Sequence, residues 1–229
     1  MDEVKSSGAF LGVVDLFAVL MPGVLLVGAL HAVWPATRLD GWLPSGDSGA
    51  WLAVVVEAYV AGHFLFLLSS GLDGLLYHRV WRPLLETDGG LAYRHASALK
   101  AQYFGTALGP VDRLNPMNTF AWAKTIMALR APGALAEVQR FEADSKFFRS
   151  LTVLVPILGV IALNSPRTNG CGVPALIAAL GLTGLAAWRY AERRYKSTQW
   201  AYHYMITLHG AASPAAPSQE PGPPASPGP

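Results

Sequence analysis

Between Trp51 and Leu72 the chain reads WLAVVVEAYVAGHFLFLLSSGL, with no lysine, arginine or proline. At about 1.5 Å per residue such a run makes a helix as long as the hydrocarbon core of a bilayer is thick, about 30 Å. Three further apolar blocks accompany it: Phe10 to Val33, Leu151 to Leu163 and Val173 to Trp188. The whole chain is 52% hydrophobic and only 14% charged, where a soluble domain carries about 25% charge. These features predict an all-α polytopic membrane protein with four transmembrane helices, the third and fourth being longer helices only part of which is apolar.

The basic residues predict how such a protein is oriented. Ten lysines and arginines fall between the second and third blocks, and Arg189, Arg193, Arg194 and Lys196 follow the fourth. Lys5 precedes the first block, leaving Arg38 and Arg167 for the other two connections. Lysine and arginine near span ends resist translocation and mark the cytoplasmic side. Both termini are therefore expected in the cytoplasm, with two short outer loops, in the inner membrane of a cell. The opening MDEVKSSG holds two acids and one base, a poor start for a cleavable signal, and the apolar run after it exceeds the usual 7–15 residues or so.

The expected organisation is a transmembrane hairpin over 1–82, with spans at about 10–33 and 50–73 and the second helix continuing into the cytoplasm. A cytoplasmic helical module follows over 83–148. A second hairpin occupies 149–209, with spans at about 149–164 and 173–190 and the last helix again running on. The Pro- and Ala-rich residues 210–229 lack core-forming side chains and are expected to be disordered. Within the module, Asn115 and Pro116 resemble a helix start, and the helix from Ala134 is expected to enter the third span unbroken. Pro22 and Pro156 mark places where a span would kink. Trp34, Trp42 and Trp51 suit an outer aromatic belt, while Trp188, Arg189, Arg193 and Arg194 suit an inner lipid interface. That placement favours lipid headgroups over nucleic acid for the run WRYAERRYKSTQWAYHY.

Asp15, Glu57, His63 and Asp73 are the polar candidates within or beside the first two spans. Ionisable residues inside a membrane are costly and commonly functional. Helical rise puts Glu57 about 10 Å and His63 about 20 Å below the outer edge, and Asp15 about 10 Å above the inner edge. Asp15 and His63 thus share a depth and are expected to meet between antiparallel helices. Glu57 lies about 120° away from His63 around the helix, and His31 is read as interfacial, so Glu57 has no evident partner. No metal-ligand spacing, phosphate-binding glycine loop or nucleophile motif occurs, so no cofactor, metal or catalytic residue is expected. Cys171 is the single cysteine, which excludes an intramolecular disulfide.

The segments DLFAVLMPG, AYVAGHFL and RFEADSKFFRSL resemble those of uncharacterised bacterial multi-pass membrane proteins, some of which serve as pore-forming effectors in anti-phage defence. The resemblance implies an inner-membrane location and a channel-like or effector role, and carries over no functional residue. The residues themselves leave three readings open. One is a non-enzymatic, self-associating protein with a polar intramembrane seam, a homo-oligomer in the bilayer with a cytoplasmic protein partner. The second is a membrane enzyme or transporter that moves protons through the same groups. The third is a scaffold or assembly factor in which those groups only join helices.

Overall fold

The computed structural model describes residues 2–33, 47–85, 90–108, 117–165 and 171–212. All the regular structure among them is helical. In chain order the elements are α1 (Asp2–Val33), α2 (Asp47–Ser70), a π-helix (Asp73–Trp81), α3 (Arg82–Leu85), α4 (Leu91–Leu108), α5 (Thr119–Arg130), α6 (Pro132–Asn164) and α7 (Gly172–Ala212).

Among the described residues three helices are long and apolar enough to cross a membrane, rather than the four expected: Trp51–Ser70, Pro132–Asn164 and Gly172–Gly210. The described apolar part of α1 is the shorter stretch Ala18–Ala32. That described stretch is shorter than the roughly 20 apolar residues that cover the hydrocarbon core. Side chains of α1 before Leu16, Asp15 included, lie outside the described residues, as do Trp34, Trp42, Asn115, Pro116 and the Pro/Ala-rich end.

α1 and α2 pack through their backbones. A Cβ added to Gly23 would stand 1.7 Å from the Ala58 carbonyl oxygen, and one on Gly62 would stand 2.1 Å from that of Val19. Rising numbers on α1 thus meet falling numbers on α2, so the pair is antiparallel. Small residues permit this approach, and dispersion between close backbones supplies attraction where no hydrophobic effect operates. Large side chains on the other faces, among them Leu52, Val56, Phe64 and Leu68, remain exposed.

α6 and α7 form the most extensive helix pair, and α6 also packs on both α1 and α2. Gly159 sits against Ala179, where an added Cβ would meet the alanine Cβ at 2.7 Å. α6 runs unbroken over 33 residues and through Pro156, and α7 over 41. Such helices are about 50 and 60 Å long, well beyond the thickness of a hydrocarbon core. Their far halves pack with α4 and α5 into a separate core. Ala96, Trp122, Ala123, Met127, Val138, Ala201, Tyr202 and Met205 are its buried residues.

α5 begins at Thr119, with Asn118 as its cap: the Asn118 Oδ1 accepts from the Ala121 amide at 2.7 Å. An N-cap asparagine satisfies one of the orphan amides of the first turn. The expected helix start at Asn115 and Pro116 lies outside the described residues, so the cap seen here is the next asparagine along.

Candidate functional site

Where α2 gives way to the π-helix, three elements are tied together. Asp73 opens the π-helix, and its Oδ2 lies 3.0 Å from Nη1 of Arg149 on α6. The Tyr190 hydroxyl, on α7, donates to the other carboxylate oxygen. The Arg149 guanidinium lies 4.7 Å from the centre of the Phe66 ring. Both oxygens of Asp73 are therefore occupied, one by a charge-assisted bond. Arg149 is buried while Asp73 keeps some exposure. The arrangement is a clamp: one side chain holds α6 and α7 to the start of the π-helix.

The local sequence explains the wide helix. Ser69 and Ser70 return their hydroxyls to the Phe66 and Leu67 carbonyls, which favours bending. Gly71 and Gly74 flank Asp73 and relax the backbone further. The amide of Arg82 bonds the Tyr77 carbonyl, five residues back. The π turn brings Tyr77 into the core, where its ring lies 6.2 Å from that of Tyr190. Burial raises the Tyr77 phenol above the ordinary tyrosine value, opposed by its hydrogen bond with Thr198. π-helical turns are rare and occur often at functional sites.

The other polar candidates in the first two helices are placed differently. His31 Nε2 lies 3.7 Å from Glu57 Oε2, so the residue without an evident partner in the sequence faces the one read as interfacial. Their side chains are 36% and 44% exposed. His63 is exposed too, and its ring meets Tyr59 edge-on with centres 4.4 Å apart. The expected meeting of His63 with Asp15 involves a side chain outside the described residues.

Farther along α6 and α7, acids face bases across the helices. Glu142 reaches Lys124 on α5 at 2.6 Å and Arg194 on α7 at 3.9 Å. Asp144 meets Arg193 at 3.5 Å, and that guanidinium also lies 5.5 Å from the Phe141 ring. Arg193 and Arg194, expected at a lipid interface, are thus half-buried against their own chain. Arg189 pairs with Glu192, which also takes Lys196 at 2.6 Å. Trp188 is half-exposed and packs edge-on against Trp81, and Trp51 is 73% exposed. Lys100 is buried and donates to the Met117 carbonyl; burial lowers its ammonium below the ordinary lysine value.

Sequence reading missed Arg149 and Tyr190 as partners of Asp73. Between α6 and α7 the available signal was complementarity: FEADSK on α6 is matched by ERRYK on α7. Among the described residues, no three His, Cys, Asp or Glu side chains converge as metal ligands. Cys171 is exposed. The chain matches no protein-family model, and comparison with curated proteins and with solved structures yields no match either.

Proposed function

We propose that this chain is a non-enzymatic integral membrane protein that self-associates through the outer face of α1 and α2. The carrying observation is the His31–Glu57 pair, partly exposed with His63 on helices whose large outward side chains, among the described residues, are mostly apolar. A carboxylate at the centre of a span costs roughly 2.5–3.5 kcal/mol on the translocon scale, and intramembrane ionisable groups almost always face a bundle interior or a water-filled cavity. In the single chain this pair faces outward. A second copy covering the same face would enclose His31, Glu57 and His63 in one polar seam, suited to a channel-like or effector role.

In this reading α2, α6 and α7 cross the inner membrane, and α1 crosses it beside α2 in the opposite direction. The basic residues between α2 and α6, and those after Trp188, place the module of α4, α5 and the far halves of α6 and α7 in the cytoplasm. The C-terminus lies there as well, and the antiparallel α1 brings the N-terminus to the same side. A cytoplasmic partner would act on the module, and the clamp at Asp73 would pass its effect to the apolar helices.

Cysteine cross-linking tests self-association. In a Cys171→Ser background, Val60→Cys should form a dimer on mild oxidation in native membranes, and the particle in gentle detergent should exceed one chain in mass. A strictly monomeric particle with no cross-link at Val60 or at Glu57→Cys sinks the proposal. A membrane-potential dye then separates a channel, which depolarises cells, from an assembly scaffold, which does not.

A further inference from the structure

A cavity of about 360 Å³ lies in the module where the π-helix, α4, α5 and α7 meet. It falls within the size range of small-molecule sites, which start near 300 Å³. Its lining is chemically one-sided. Arg82, Arg194 and His78 contribute to it, and among the described residues that line it there is no aspartate or glutamate. Glu142, on α6, lies 3.9 Å from Arg194. That separation is beyond hydrogen-bond distance, so Glu142 does not consume the guanidinium's donors.

The start of α5 adds a second source of positive potential. Asn118, Thr119 and Phe120 all line the cavity, and the Asn118 side chain caps the Ala121 amide, leaving the amides before it outside the helix's own bonding. First-turn amides lack intrahelical partners, and with the helix dipole they favour an anion. α5 is 12 residues long, enough to carry that dipole. Aromatic faces complete the wall: Tyr93 and Tyr202 line it with their rings 5.8 Å apart.

We infer that this cavity binds a phosphate-bearing anion whose attached group is flat or short, the arginines and the start of α5 holding the phosphate and the tyrosines holding the rest. Planar guanidinium groups match phosphate geometry in two-point contacts. The phosphate can belong to a soluble phosphorylated metabolite or to an anionic lipid headgroup. Tyr77 and His78 lie only a few residues beyond the apolar part of α2, which puts a headgroup within reach. Occupancy would brace the π-helix that begins at Asp73. The inference is independent of the self-association proposed above.

The test uses the full chain in nanodiscs, with two arms. In phosphatidylcholine discs the probes are inorganic phosphate, adenosine monophosphate and adenosine, followed by calorimetry and thermal unfolding. In the second arm the discs contain phosphatidylglycerol and no added probe. A soluble ligand predicts saturable binding of adenosine monophosphate, weaker binding of phosphate and none of adenosine. A headgroup predicts a higher unfolding temperature in phosphatidylglycerol discs without probe binding. Gln199→Glu puts a carboxylate into the lining at unchanged size, and should weaken whichever effect is seen about tenfold or more. Arg82→Gln should act in the same direction. The inference is overturned if neither arm responds, if adenosine binds as well as its monophosphate, or if both variants respond as the parent does.

Discussion

The α1–α2 hairpin and the α4–α7 module solve the same packing problem with opposite materials. In the hairpin, glycines bring two backbones together and the large apolar side chains point away. In the module, Trp122, Met127, Tyr202 and Met205 point inward and the charges lie between helices or outside. The second arrangement is the one water favours, because burying apolar area is worth about 25 cal/mol per Å² there. Lipid offers no such gain, so helices in it associate by close fit and by polar contacts. In the proposed placement the boundary between the two environments falls near Asp73, Arg149 and Tyr190, where one polar cluster binds both regions.

Breaking that cluster should have the largest effect. Arg149→Ala leaves Asp73 without its cationic partner and should destabilise the protein by about 3–5 kcal/mol, read as a lower unfolding temperature in mixed micelles. The double variant Asp73→Leu with Arg149→Met should recover most of that loss, since apolar replacement of a buried pair is often neutral. Next comes Gly62→Ala, whose new Cβ would press on the Val19 carbonyl. Overpacking of this kind costs about 1–3 kcal/mol. It should loosen α1 from α2, detected by increased protease cleavage of α1, while the tryptophan fluorescence of the module stays unchanged. Gly28→Ala is the matched control, because a Cβ there meets nothing within 4 Å.

A smaller effect is expected from Asn118→Ala, which removes the α5 cap and should cost about 1 kcal/mol. It touches the module alone, so protease cleavage of α1 should not change. The smallest belongs to Lys196→Ala. Its bond to Glu192 is exposed and local, at i,i+4, and should be worth roughly 0.3–0.5 kcal/mol. If Lys196→Ala matched Arg149→Ala, the distinction between the connecting clamp and the surface charges would collapse.

The apolar stretches of α2, α6 and α7 were legible because hydropathy over some 20 residues is a property of the segment itself. The continuity of α6 was legible for a similar reason, as no helix-breaking pair interrupts PGALAEVQRFEADSKFFRSL. The partners of Asp73 and Glu57 were not, because they depend on which helices become neighbours and in what register. His31 and Glu57 show the physics well. Helical side chains lean toward the N-terminus of their own helix. In an antiparallel pair, the two therefore lean toward each other, and reckoning depth from Cα positions places them too far apart. The partners of Arg193 and Arg194 were hidden in a related way. A basic run after an apolar block suggests headgroups, and only the folded α6 reveals Glu142 and Asp144 opposite.

The two unbroken helices α6 and α7 also act as levers. Tyr190 stands 18 residues after the first residue of α7 and 22 before the last, so its bond to Asp73 supplies a fulcrum near the middle of the rod. A tilt of about 5° around that point displaces each end of a helix about 60 Å long by about 2–3 Å, in opposite directions. At Ala179, 11 residues from that point, the same tilt shifts α7 by about 1.4 Å against Gly159, where the two helices already touch.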